Sequence, residues 1–371
     1  MKMKSGSDVL SAVTCLAACL FGCTSSLAAA PEIASTEAAR QDRPWIIVVR
    51  GAHGAPSYRE DFATWTRRWQ SVARRIDASF ELIGEPLDPD ADSVAETETS
   101  SAPAESLPPE SPTDKQQLLQ MLRSVPPRSR QPVWLILIGH GTSLRDEHKF
   151  NLRGPDITAS ELAQSLDHLQ RPTAIINAAS SSGPFLPALS GPDRIVLTAT
   201  QSGTEKNATR FGDFFSQAVG SPDADLDHDR AVSVLEAFAH ASARVREAYE
   251  QDGRILTEHA LIDDNGDGRG TPAEAFRGIE TIAEPEDDLP LDGEFAARIT
   301  MPLADDPVRW TDDQLARRDR LEDALDKLRR SQKDLDPEAY DEKLEAILVP
   351  LARLYQEVES PTASAAEPPA P

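Results

Sequence analysis

Short apolar runs alternate with segments of helical periodicity, and this alternation limits the fold more than any other feature of the sequence. Five runs are rich in β-branched residues and have the length of strands: Trp45–Val49, Phe80–Ile83, Val133–Ile138, Ala174–Ile176 and Ile195–Ala199. Strands that alternate with helices predict an α/β fold with a mostly parallel sheet, covered on both faces. Functional residues in such a sheet gather beyond the carboxyl ends of the strands.

The intervening helices are marked by periodicity and by capping signals. Residues 58–75 carry apolar and aromatic side chains at helical spacing. Thr158 with Glu161 forms a capping box pattern, and Thr113 with Gln116 forms a second one. We therefore expect a helix to begin just after each threonine.

Composition changes along the chain predict its domain organisation. Residues 85–112 contain no lysine or arginine and lack apolar periodicity, which predicts a disordered acidic insertion. Two leucine-rich segments of helical spacing near the carboxyl end are joined at Asp336-Pro337, a pair that suits a helix start. The predicted parts are an export signal (1–30), a main domain that contains the insertion (41–284), an irregular connector (285–310), a helical hairpin (311–358) and a disordered tail (359–371).

The charge balance excludes two classes of partner. The chain has 62 acidic and 38 basic residues. Nucleic acids and anionic membranes are bound by clustered lysine and arginine, so neither is expected as a partner. Cations and basic peptides or proteins fit better. After residue 30, no run approaches the ~20 apolar residues of a membrane span.

The amino-terminal thirty residues have the pattern of an export signal: two early lysines, an apolar run and then small residues. The expected location is therefore periplasmic or extracellular. Residues 20–23 resemble a bacterial lipobox, which would place a lipid anchor on Cys23. The alternative is ordinary cleavage near residues 28–30.

All three cysteines of the chain, Cys15, Cys19 and Cys23, lie inside this signal. The expected folded part therefore has no disulfide, no thiolate metal site and no cysteine nucleophile.

Two strand ends carry the side chains of a possible hydrolase. The run WLILIGHGTS ends in His140-Gly141, and forty residues later AIINAASSSG ends in a turn that contains Ser180. At neighbouring strand ends, His140 could act as general base and Ser180 as nucleophile, with the amides of Gly141 and Ser180 as oxyanion donors. The alternative is a simple turn and a helix cap.

The same residues resemble the legumain-type peptidases of the caspase clan, which end one strand in His-Gly and a later strand in Ala-Cys-x-Ser-Gly. Residues 179–183, ASSSG, match that second motif with serine at the cysteine position. WIIVVRGAHGAPSYR, IVLTATQSG and FGDFFS resemble further family segments, so the similarity extends over residues 44–270. The resemblance implies a caspase-like three-layer sandwich and a substrate pocket that contains Arg59 and Asp213. Asn177 stands where legumains have a pocket glutamate.

The resemblance leaves two functional hypotheses open. In one, the protein is an exported legumain-like peptidase that hydrolyses peptide bonds through a His/Ser dyad. A hydroxyl is a weaker nucleophile than a thiolate near neutral pH, so it depends on a well-aligned base. In the other, the protein is an inactive pseudopeptidase that binds a peptide or protein and is stabilised by calcium.

Two acidic segments have oxygen-bearing residues at positions one, three, five, nine and twelve of an EF-hand-type calcium loop. Loop A consists of Asp225, Asp227, Asp229, Ser233 and Glu236. Loop B consists of Asp263, Asn265, Asp267, Thr271 and Glu274. Position six is Gly268 in loop B but Arg230 in loop A. We expect Ca²⁺ at one or both loops; the alternative is a solvated acidic loop.

Overall fold

The computed structural model describes residues 43–87, 111–282, 291–304 and 310–359. Within these ranges the strands are β1 (Trp45–Arg50), β2 (Ser79–Ile83), β3 (Val133–Ile138), β4 (Gly141–Leu144), β5 (Glu147–Phe150), β6 (Ile157–Thr158), β7 (Thr173–Asn177), β8 (Arg194–Thr198), β9 (Ala231–Ser233), β10 (Leu261–Asp263), β11 (Thr271–Pro272), β12 (Phe276–Arg277), β13 (Glu280–Thr281) and β14 (Thr300–Pro302). The helices are α1 (Pro56–Arg75), α2 (Asp114–Ser124), α3 (Ala159–Leu166), α4 (Phe185–Leu189), α5 (Phe211–Ala218), α6 (Val234–Gln251), α7 (Asp312–Arg330) and α8 (Pro337–Glu359).

A mostly parallel sheet of seven strands forms the centre of the fold. Its spatial order is β11-β10-β8-β7-β3-β1-β2. The five strands from β8 to β2 are parallel, and they coincide with the five predicted apolar runs, although β8 ends at Thr198, one residue before the predicted end. β10 and β11 add two antiparallel strands at one edge. The expected α/β class and mostly parallel sheet are confirmed.

Helices cover both faces of this sheet. On one face, Trp69 of α1 stacks on Phe215 of α5, with 6.2 Å between ring centroids. On the other, Leu118 of α2 and Leu162 of α3 are fully buried against the strands. β3 is therefore buried along its whole length, which explains its unbroken apolar sequence.

Capping boxes fix the starts of four helices. Those at Thr113 and Thr158 were expected and are confirmed. Ser233 caps α6 and Thr311 caps α7 in the same way. Each cap satisfies amides that the first helical turn leaves unpaired and is worth about 1 kcal/mol.

Small sheets complete the body, and the sequence did not predict them. β4, β5 and β6 form an antiparallel sheet directly after the His140 strand end. β14 pairs with β9, so part of the expected irregular connector is a strand. A strand of three residues is too short to leave a periodic signal, and its position depends on a partner about seventy residues away.

The two carboxyl-terminal helices contact each other and the body. Arg317 of α7 pairs with Glu357 of α8, and the rings of Trp310 and Tyr355 meet edge to face at 5.0 Å. Arg298 forms ion pairs with three carboxylates of α7: Glu322, Asp323 and Asp326. α8 begins at Pro337, as the Asp-Pro pair predicted.

Several predictions concern residues outside the described ranges. These are the export signal and Cys23, most of the acidic insertion (88–110), parts of the connector (285–290 and 305–309), and the tail (360–371). In the portion that is described, every helix is too short or too polar to cross a bilayer.

Candidate functional site

The sheet places the two predicted strand ends side by side. β3 and β7 are adjacent and parallel, with Leu137 opposite Asn177. His140 and Ser180 follow these strands at the same, carboxyl edge of the sheet. The amide of Gly141 donates a hydrogen bond of 3.3 Å to the Ser180 hydroxyl. The fold therefore brings the two predicted segments into direct contact.

The imidazole of His140 is engaged elsewhere. Its Nε2 donates to the carbonyl oxygen of His53 at 3.2 Å. The ring packs against Tyr58 and Phe62, with centroids 4.8 and 5.5 Å away. Burial lowers the pKa of His140 below its ordinary 6.5, and the bond to His53 only partly opposes this shift. Among the described residues, no hydrogen bond joins the His140 imidazole to the Ser180 hydroxyl.

The serine turn is buried and tightly built. Ser180 is 3% exposed, and Ser181 has a left-handed φ of 53°. Ser182 accepts from the Thr200 amide at 3.1 Å. A Cβ on Gly183 would lie 2.4 Å from the Gln201 carbonyl carbon, so only glycine fits there. Part of the small-residue motif is thus required for packing.

Gly141 also lies very close to the serine turn. A Cβ added to it would stand 2.3 Å from the Ser180 carbonyl oxygen. Its amide, one of the two expected oxyanion donors, is occupied by the Ser180 hydroxyl.

The structure distributes the three predicted pocket residues over different places. Arg59 pairs with Glu85 beyond the end of β2. Asn177 is 1% exposed; its Oδ1 accepts from the Ala179 amide at 3.2 Å, and its Nδ2 has no hydrogen-bond partner within the described residues. Asp213 lies at the start of α5 and faces a cavity. These residues do not converge on one pocket.

The cavity beside Asp213 has a volume of about 700 Å³ and lies between α1 and the start of α5. Four of its lining residues, Tyr58, Asp61, Trp65 and Arg68, recur at intervals of three and four along α1. They therefore share one helix face. No sequence motif singled out Asp61 or Arg68, although their helical spacing on the predicted helix α1 is a signal that could have indicated them.

The two acidic loops have matching backbones. Position four is left-handed in both, with φ of 62° at His228 and 79° at Gly266. Position six is also left-handed, at 71° for Arg230 and 74° for Gly268. Loop A therefore makes the sharp turn without the usual glycine.

The same hydrogen bonds hold both loops. The amide of position six donates to the first carboxylate, at 3.1 Å in loop A and 3.0 Å in loop B. The amide of position seven donates to position five at 2.7 Å in both. In loop A, Asp225, Asp227 and Asp229 each offer one carboxylate oxygen within 4.8 Å of the others. Partial desolvation, reinforced by the neighbouring carboxylates, raises the pKa of Asp229 to about 6.

Glu236, at position twelve, closes loop A. Its Oε1 accepts from the amides of positions two and three, Leu226 and Asp227, at 2.7 and 3.3 Å. Its Oε2 accepts from the hydroxyl of Ser233, position nine, at 2.8 Å.

Asp292 makes the equivalent contacts in loop B. Its Oδ1 accepts from the amides of Asp264 and Asn265 at 3.0 and 3.3 Å, and its Oδ2 from the Thr271 hydroxyl at 2.6 Å. Glu274, the predicted residue of position twelve, instead pairs with Arg246. The loop pattern could not indicate Asp292, because 28 residues separate it from Asp264.

No protein-family model matches the chain, and a comparison with curated proteins found no match.

Proposed function

We propose that this protein is an exported, caspase-like binding protein that holds a peptide segment at the carboxyl edge of its sheet without cleaving it. The observation that supports this most directly is the arrangement of four groups at this edge. The Ser180 hydroxyl accepts from the Gly141 amide, while the His140 Nε2 faces the His53 carbonyl.

This arrangement is unfavourable for hydrolysis. A serine nucleophile needs a base aligned on its hydroxyl and amide donors left free for the oxyanion. Here the imidazole donates to a backbone carbonyl, and one expected oxyanion donor already has a partner. The cavity of about 700 Å³, lined by charged and aromatic side chains, is large enough to take one side chain of a bound peptide.

A serine-dependent peptidase is the second candidate, and one observation favours it. His140 and Ser180 follow adjacent parallel strands, and Gly141 already contacts the serine. Hydrolysis would require the His140 ring to leave His53 and turn towards the hydroxyl.

One experiment separates the two candidates. Purified protein is incubated with a library of capped peptides, and both peptide binding and cleavage products are measured. Ser180→Ala and His140→Ala serve as matched controls. Binding without cleavage above the background of both variants supports the binding protein, whereas cleavage that both substitutions abolish supports the peptidase.

A second measurement tests whether His140 is aligned with the side chain at position 180. Ser180→Cys places a thiol at the nucleophile position, and a thiol-reactive probe reports its reactivity. Because the His140 imidazole is hydrogen-bonded to the His53 carbonyl and not to this position, we expect slow labelling that His140→Ala leaves unchanged. Fast labelling that depends on His140 would favour the peptidase.

The proposal includes Ca²⁺ at both acidic loops. Carboxylate and amide oxygens at alternate positions are the donors that this ion prefers. In loop A the ligands would come from Asp225, Asp227, Asp229 and Glu236. In loop B they would come from Asp263, Asn265, Asp267 and, in place of Glu274, Asp292. The support is the repeated arrangement of one closing carboxylate over amides two and three.

The remaining parts of the proposal rest on the sequence. Export follows from the signal-like first thirty residues, with either a lipid anchor on Cys23 or simple cleavage. The caspase-like assignment rests on the strand-end motifs. The carboxyl-terminal helices are proposed to act as a helical hairpin that supports the body rather than the site.

A further inference from the structure

The cavity between α1 and α5 adjoins the His140 position. Tyr58 lines the cavity on one side, and its ring meets the His140 ring at 4.8 Å. A peptide that lies along the sheet edge past His140 can therefore send one side chain into the cavity. This inference rests on the proposed peptide-binding function and names the side chain that the cavity accepts.

Two of the charged groups that line the cavity neutralise each other. The Arg68 guanidinium donates to the Asp213 carboxylate at 2.5 Å and to the Ser216 hydroxyl at 3.0 Å. This pair links α1 to α5 and fixes one wall. Neither charge is left without a counter-charge.

Two further arginines are bound to groups outside the cavity. Arg210 pairs with Asp252, and its guanidinium lies 5.0 Å from the centroid of the Tyr249 ring. Arg254 lies over the same ring at 5.5 Å. Both cations thus stack on one aromatic side chain, a contact that partly offsets their charge.

Two carboxylates line the cavity, and only one of them is paired: Asp213 bonds to Arg68, whereas Asp61 does not. Within the described ranges, its carboxylate has neither an ion pair nor a hydrogen bond, and it projects from the α1 face that borders the cavity. Partial desolvation raises the pKa of Asp61, and so do the negative charges of Asp213 and Glu60. This corner of the cavity is therefore negative and lacks a counter-charge.

We infer that the cavity binds a basic side chain of the peptide ligand, lysine or arginine, whose charged group pairs with Asp61. The aromatic walls formed by Tyr58 and Trp65 suit the apolar stem of such a side chain. The carboxylate suits its charged end.

The test uses four libraries of capped hexapeptides that differ only in one fixed central residue: arginine, lysine, norleucine or glutamate. Their affinities are measured for the wild type, Asp61→Asn and Glu60→Gln. Glu60→Gln is the matched control. It removes the same charge one position away, and Glu60 does not line the cavity. We expect the arginine and lysine libraries to bind at least fivefold more tightly than the norleucine library. Asp61→Asn should remove this preference, and Glu60→Gln should retain it.

Other outcomes overturn the inference in distinguishable ways. If all libraries bind equally to the wild type, or Asp61→Asn keeps the preference, Asp61 is not the determinant while peptide binding stands. A preference for glutamate would show that the arginines of the cavity, and not Asp61, select the side chain of the ligand. Failure of every library to bind would overturn the proposed function itself.

Discussion

Asp292 accepts a hydrogen bond of 2.6 Å from the Thr271 hydroxyl, 21 residues before it in the chain. Ser233 and Glu236 make the same contact in loop A at 2.8 Å. One acidic loop is thus closed by its own glutamate, and the other by a residue from a separate segment. This difference changes which substitutions should disturb calcium binding.

We predict that Asp292→Asn removes one bound calcium ion and that Glu274→Gln removes none. The asparagine keeps an oxygen acceptor for the amides but loses the charge that would bind the proposed ion. Titration calorimetry should give a stoichiometry of two for the wild type and Glu274→Gln, and one for Asp292→Asn. If Glu274→Gln lost a calcium ion, Glu274 would be the ligand at position twelve of loop B, as the sequence pattern predicts.

His140 should make stability depend on pH. Because its folded pKa lies below its unfolded value of 6.5, acidification protonates the unfolded chain first. The stabilisation from neutral His140 is present above pH 6.5 and is lost as the pH falls towards the folded pKa. We expect the difference in unfolding free energy between wild type and His140→Phe to shrink over this window in urea titrations. A difference that stays constant would contradict the assigned environment.

Arg298 should anchor α7 to the body. It contacts Glu322, Asp323 and Asp326 and is largely buried, so Arg298→Met leaves Asp323 and Asp326 without their nearest cationic partner. We expect a loss of about 2 kcal/mol in unfolding free energy, in the range for hydrogen bonds to charged groups. Arg329→Met is the control: Arg329 is 60% exposed, and its loss should cost less than about 1 kcal/mol. Equal losses in chemical denaturation would show that Arg298 has no special role.

Gly141 should tolerate no side chain. The added methyl group of Gly141→Ala would stand 2.3 Å from the Ser180 carbonyl oxygen, which forces the strand ends apart. We expect a loss of about 1–3 kcal/mol, as for other overpacked positions. Gly191→Ala is the matched control, because its nearest neighbours lie 3.8 Å away. Similar melting temperatures for the two variants would argue against close contact at this edge.

Local signals explain what the sequence predicted well. The strands of the parallel sheet are buried on both faces, so their apolar character is continuous and visible without any partner. The capping boxes at Thr113 and Thr158 involve residues three positions apart. The adjacency of His140 and Ser180 followed from the rule that parallel strands end at one edge.

Long-range contacts explain what the sequence did not predict. The His140 ring is hydrogen-bonded to the His53 carbonyl, 87 residues away, and no sequence motif predicts that contact. The role of Asp292 and the pairing of β14 with β9 likewise depend on segments distant in the chain. Asp61 is a different case. It shares a face of a predicted helix with Tyr58 and Arg68, so its position could have been inferred from the sequence.

The outer strand β11 has a consequence for the behaviour of the protein at high concentration. It contains only two residues, and one of them, Pro272, has no amide hydrogen. An extended segment of another molecule would find at most one donor there, too few to prolong the sheet. This border is thereby protected against edge-to-edge aggregation.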